Sequence, residues 1–122
     1  MYMISSDEVP RTRYRIDRLP NGAYQWRLTA QNGRVVAVSA TSFAEFDACR
    51  DAFAGTRAEA EHLTVAVLHS TVRGGGWVWG ARGSQGQLRA VSSRAYERHS
   101  TCRAAFERFQ VLLSEFDPDS IV

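Results

Sequence analysis

About a quarter of this chain is written twice. A displacement of 53 residues lays GAYQWRLTAQNGRVVAVSATSFAEFDACRDAF, from Gly22, over GGWVWGARGSQGQLRAVSSRAYERHSTCRAAF, from Gly75, without a gap. Ten of the 32 positions are identical. They include Trp26 and Trp79, the Ala-Val-Ser run ending at Ser39 and Ser92, and the cysteines Cys49 and Cys102. The aromatics also stay in phase, Tyr24 on Trp77 and Phe43 on Tyr96. Such a repeat constrains the fold strongly, because each copy must be one supersecondary unit whose apolar face is buried with the help of its neighbour.

Each copy reads as strands followed by a helix. In the first, 14–19 alternates, Asn21-Gly22 makes a turn, and 24–30 alternates again. Asn32-Gly33 is a strong short hairpin signal, since a two-residue type I′ loop needs positive φ at both positions. The β-branched segment 34–40 then returns antiparallel. Ser42 with Glu45 three residues on reads as a capping box that opens a helix carrying Phe46, Cys49 and Phe53 on one stripe. In the second copy the expected strands are 63–72, 76–83 and 87–93. A helix follows over about 97–115, with His99, Cys102, Phe106, Phe109 and Leu113 inward. A two-residue loop sets Trp26 opposite Ser39 and Leu28 opposite Ala37, and likewise Trp79 opposite Ser92 and Ala81 opposite Ala90. Large aromatics facing small partners leave room for a helix on that side. Tyr24, Trp26, Leu28, Trp77, Trp79, the helix phenylalanines and both cysteines form the expected core.

A strand, Asn-Gly, a strand ending in Ser, an aromatic and a helix carrying Ala-Cys together resemble the YegP-like domain of unknown function. The residues carrying the resemblance are YQWRLTAQNGRVVAVSATSF with Ala48-Cys49, and WVWGARGSQGQLRAVSSRAY with Thr101-Cys102. Gln85-Gly86 stands where the second copy would repeat Asn-Gly. The resemblance implies an α+β fold: two β-β-β-α(-β) repeats sharing one antiparallel sheet, with two helices packed on one face. It also implies that the units exchange terminal strands. HLTVAVLHSTV would then serve both as the exchanged strand and as the opening strand of the second unit, and DPDSIV as the closing strand. The organisation expected is an N-terminal tail over 1–11, a first repeat over 12–62 and a second over 63–122, in one compact domain. The resemblance brings no catalytic residues with it.

Chemistry is scarce in the sequence. Two cysteines fall short of the four ligands of a structural zinc site, and the three histidines stand apart. The cysteines occupy duplicated positions on the inner helix stripe, which suits small core hydrophobes. VRGGGWVWGARGSQG is glycine-rich, but it leads into a strand and lacks the Lys-Ser/Thr ending of a phosphate loop. No cofactor, metal or enzymatic activity is expected. No apolar run approaches the roughly 18 residues of a membrane span. The N-terminus has no leader pattern, so a cytoplasmic setting is expected.

Charge is the remaining signal. All 15 basic residues are arginine, and the net charge is only +2. Alternation assigns Arg13, Arg15, Gln25, Arg27, Thr29, Val36 and Val38 to the sheet face away from the helices, with Val78, Arg82, Arg89 and Val91 from the second copy. The two-residue loop sets Arg82 directly across from Arg89, a like-charge pair that an anionic partner would relieve. The binding residues expected are therefore Arg13, Arg15, Arg27, Arg82 and Arg89. The function expected is a non-enzymatic interaction module that takes a second copy of the chain or an acidic protein partner on this face. The alternative is sequence-tolerant nucleic-acid binding by phosphate neutralisation on the same face.

Overall fold

A computed structural model describes residues 11–71 and 74–116. The closing segment DPDSIV and residues 1–10 of the N-terminal tail lie outside the described residues. The chain runs β1 (Arg13–Arg18), β2 (Tyr24–Thr29), β3 (Val35–Ser39), α1 (Phe46–Ala58), a 3-10 turn (Ala60–His62), β4 (Thr64–His69), β5 (Trp77–Arg82), β6 (Leu88–Ser92) and α2 (His99–Glu115). The strands form one antiparallel sheet in the order β1-β2-β3-β6-β5-β4. The fold is α+β, as expected.

The halves meet where β3 pairs with β6, Val38 against Val91. Among the described residues, no strand is exchanged into the first half; the DPDSIV strand that the resemblance expects lies outside them. The segment 64–69 makes one strand, and it pairs along its whole length with β5. The short connection from α1 leaves chain for one strand only, so each described half is β-β-β-α.

The helix face of the sheet carries the core. Trp26, Leu28, Ala37, Trp79, Ala81 and Ala90 are buried there against Cys49, Phe53, Cys102, Phe106 and Phe109. Burial of each large side chain stabilises by roughly 1.5–3 kcal/mol. Phe53 stacks on Tyr14 at 3.9 Å and meets Trp26 edge-on at 5.1 Å, while Trp79 stacks on Phe109 at 5.0 Å. The strand-ending serines have a specific use: Trp26 N–H donates to Ser39 Oγ and Trp79 N–H to Ser92 Oγ. Tyr24 and Trp77 are half-buried at the edge of this core. Phe46, expected inside, is 47% exposed and touches Tyr24 only edge-on. His99, also expected inside, is exposed at the start of α2, edge-on to Trp77.

The helices start later than the capping pattern suggests. Glu45 is the N-cap of α1, and it makes no side-chain cap bond. Ser42 cannot serve, because Phe43 is held extended: its N–H and carbonyl both bond Tyr24 across a β-bridge. Tyr96 does the same with Trp77 ahead of α2.

Both hairpin loops have three residues, not two. Gly33 N–H donates to Ala30 O and Ala30 N–H to Arg34 O, with Gly33 at φ 83°. Gly83, Gly86 and Gln87 repeat the arrangement, with Gly86 at φ 82°. This is the turn followed by a left-handed residue that glycine supplies at no steric cost. One strand residue further in, each hairpin contains a β-bulge, and this restores the register expected from a shorter loop. Leu28 faces Ala37 and Ala81 faces Ala90. The residues beside the bulge change sides, however. Val35, not Val36, lies opposite Thr29, and Leu88, not Arg89, lies opposite Arg82.

Candidate binding face

The side of the sheet away from the helices has two zones. On β1 and β2, Arg15 lies directly across from Arg27, and Arg13 across from Thr29. The like charges are not left opposed. Asp17 Oδ1 lies 3.0 Å from Arg15 Nε, and Asp17 Oδ2 lies 3.0 Å from Arg27 Nε. Alternation from Arg13 and Arg15 delivers Asp17 to the same face. Arg82, on β5, is exposed but folds back, donating to the Gly86 carbonyl of its own hairpin at 2.8 Å.

Arg89 does not belong to this face. The bulge turns it to the helix side, where its Nε and Nη2 donate to Glu59 Oε2 at 3.1 and 2.6 Å. Glu59 also accepts the Ser84 N–H at 2.6 Å. That backbone bond and the guanidinium hold its carboxyl below the usual carboxylate range, against the opposing effect of burial. The expected Arg82–Arg89 repulsion therefore does not exist. Of the five arginines read from the sequence, the sheet gathers Arg13, Arg15 and Arg27 at one end, holds Arg82 apart, and moves Arg89 away.

The second zone is apolar. Leu68 is 62% exposed and lies across from Val78, and Leu88 is 40% exposed across from Arg82. Leu88 leans over Gly80, where a Cβ would sit 3.1 Å from its Cδ1. Gly80 pairs with Val91, Val91 with Val38, and Val38 with Arg27. An apolar strip thus crosses the sheet from β4 to β3 and ends at the arginines. Leu68 and Leu88 are not among the residues that the sequence assigns to this face; for Leu88 the reason is the register, since a two-residue loop sets Arg89 in its place across from Arg82. The alternation of TVAVLH, with Leu68 in phase with Thr64 and Ala66, contains the signal for Leu68.

Cys49 and Cys102 are free and fully buried, and desolvation pushes the Cys49 thiol up to about 11 and raises that of Cys102. A thiol so disposed is inert, because the thiolate is the nucleophile. No group of three or more potential metal-ligating side chains occurs among the described residues. No helix of the described residues is long and apolar enough to cross a membrane.

No protein-family model and no curated protein match the chain. Solved structures do. The chain superposes on the protein of unknown function yegP from E. coli with a TM-score of 0.67 at 12% identity, covering 86% of this chain and 88% of that one. It superposes on the UPF0339 protein SO3888 from Shewanella oneidensis with a TM-score of 0.65 at 14% identity, covering 83% and 81%. The fold is that of the YegP-like proteins. At such identities the likeness is one of architecture, and function must be argued from this chain's own surface. On this YegP-like scaffold the aromatic rings belong to the helix side, and the opposite side presents an apolar strip bordered by arginines.

Proposed function

We propose that the chain is a non-enzymatic interaction module that docks an acidic protein segment on the open sheet face. The observation carrying this reading is the apolar strip Leu68, Val78, Leu88, Val91 and Val38, running into Arg27, Arg15 and Arg13. Apolar anchors supply most of the binding energy at interfaces, while charge selects the partner and speeds encounter. A partner segment with large apolar side chains and flanking carboxylates complements both zones. Self-association is less well served, because a second copy brings its own arginines. Nucleic acid is less well served too: the rings that would stack on bases, Trp26 and Trp79, are buried on the other side.

The module is proposed to be a tandem repeat that arose by duplication. Equivalent residues 53 apart doing the same job support that: Ser39 and Ser92 on the tryptophan amides, Phe43 and Tyr96 in the β-bridges. A cytoplasmic setting belongs to the proposal, and two unpaired cysteines fit a reducing compartment.

Selection of a random peptide display library on the immobilised protein tests the reading. Enriched peptides should combine Asp or Glu with Leu or Phe, and should lose binding to Leu68→Asp and to Arg13→Gln/Arg15→Gln. Peptides without acidic bias, or indifferent to these changes, would overturn it. Sedimentation velocity reveals a dimer if self-association is the true use. Anisotropy with labelled DNA and RNA over a salt series reveals a phosphate-driven interaction.

A further inference from the structure

The two bulges create two related places under the helices. α1 packs on β1 and β2 and reaches β6, while α2 packs on β4 and β5 and reaches β3. The residue turned inward by the β6 bulge, Arg89, therefore meets α1. The residue turned inward by the β3 bulge, Val36, stands 53 positions earlier and faces α2.

Under α1 the space is filled by the protein itself. The Arg89 guanidinium lies over Gly55, where a Cβ would sit 3.2 Å from Nη1, and is neutralised by Glu59. Under α2 the same space is an open cleft of about 300 Å³. Its walls carry Arg34, Arg94 and Arg108, and its apolar surface includes Val36 and Ala105. Arg94 lies over the ring of Tyr96, 4.8 Å from its centre, so its guanidinium plane has a fixed support. Among the described residues, no acidic side chain lines the cleft. Among the described residues, none of the three arginines forms an ion pair. The positions equivalent to Arg34, Arg94 and Arg108 in the other half are Gln87, Thr41 and Gly55.

We propose that this cleft binds a phosphorylated small molecule, with the phosphate held by Arg34, Arg94 and Arg108 and the organic part against Val36 and Ala105. Guanidinium is the side chain suited to phosphate oxygens, because its planar fork donates two parallel hydrogen bonds. Cations that line one cleft repel one another and raise the local concentration of anions. Where the related space needed no ligand, the chain supplied its own Glu59. A volume of about 300 Å³ exceeds what a bare phosphate fills and lies at the small end of ligand pockets, so an organic body belongs with the anion. The site is separate from the open sheet face and does not depend on the docking reading.

Titration of the ¹⁵N-labelled chain with phenyl phosphate, inorganic phosphate and phenol tests the site. Phenyl phosphate should move the Arg34, Tyr96 and Ala105 signals together and saturate, with inorganic phosphate binding about tenfold more weakly and phenol not at all. Arg34→Gln and Arg94→Thr, which install the other half's residues, should each weaken phenyl phosphate about tenfold or more, the scale of one charged hydrogen bond. Arg34→Lys should retain part of the affinity, since charge remains and the fork is lost. Arg13→Gln/Arg15→Gln, altered only on the open face, should bind as the unmodified chain does. No saturable shift up to about 10 mM phenyl phosphate would overturn the proposal, that concentration being weaker than any useful small-molecule site. So would shifts that map elsewhere, or affinity unchanged in folded Arg34→Gln and Arg94→Thr.

Discussion

The spaces under α1 and α2 share a backbone and differ in how charge is handled. Under α1, Arg89 and Glu59 neutralise each other, and two glycines make room for them. A Cβ at Gly55 would crowd Arg89, and one at Gly83 would come within 2.6 Å of Glu59 Oε1. Under α2 the corresponding residues are Val36, Leu112, Arg108 and Ala30. There Val36 and Ala105 make the interior apolar, and the arginines stand at the rim with no carboxylate among the described residues. The contrast teaches that similar backbone can satisfy an inward charge internally in one half and, among the described residues, leave arginines without a carboxylate in the other.

The most disruptive test of this contrast moves the ion pair across. Val36→Arg with Leu112→Glu, made together with Ala30→Gly to clear the room that Gly83 provides in the other half, places the equivalent of the Arg89–Glu59 pair under α2, and phenyl phosphate binding there should disappear while the circular dichroism spectrum persists. Retained binding would show that the two spaces are not equivalent. Next comes the removal of one partner. Glu59→Ala strands a half-buried guanidinium and should lower unfolding free energy by about 1–2 kcal/mol in urea, the low end for a charged hydrogen bond because both groups keep some solvent. Glu59→Leu with Arg89→Val, copying Leu112 and Val36, should recover most of that loss, since apolar replacements of buried ion pairs are often neutral or better. Failure to recover would mean that packing, not charge, separates the halves.

Acid provides a milder test. Glu59 has a folded-state pKa below its usual 4.5. Its stabilising contribution is therefore fully present above that value and fades as the pH falls through the depressed one. The stability gap between the unmodified chain and Glu59→Gln should be widest near neutrality and should close in strongly acidic buffer. A gap that widened on acidification would contradict the assignment. The smallest effect is expected for Gly55→Ala. Replacing a mid-helix glycine favours the helix by roughly 0.8–1 kcal/mol, but the new methyl displaces the Arg89 tip. The net change should stay within about 0.5 kcal/mol of zero, and a gain of the full helix term would show that the Arg89 contact gives way freely.

Much of the fold is legible without coordinates because it rests on local, periodic signals. Alternation in YQWRLTA and WVWGAR specifies strands and their inner faces, and the chain runs twice through three strands and a helix. The pairings Leu28–Ala37 and Ala81–Ala90 come out right for an instructive reason. The loop is one residue longer than a two-residue turn, and the bulge adds one residue on the same strand, so the two departures cancel beyond the bulge. Between them they do not cancel, and that is where Arg89 and Val36 change sides. The candidate face suffered accordingly. Arg13, Arg15 and Arg27 follow from simple alternation, whereas the placement of Arg89 needed the bulge.

The sequence by itself determined the α+β class, the hairpins, the tryptophan core and the burial of both cysteines, all consequences of side-chain periodicity against an apolar interior. Only the tertiary structure decided that β3 joins β6, that Asp17 bridges Arg15 and Arg27, and that the bulged residues turn beneath the helices. Those outcomes depend on which distant backbone segment is nearest, and a one-residue slip in a strand reverses every side chain it passes.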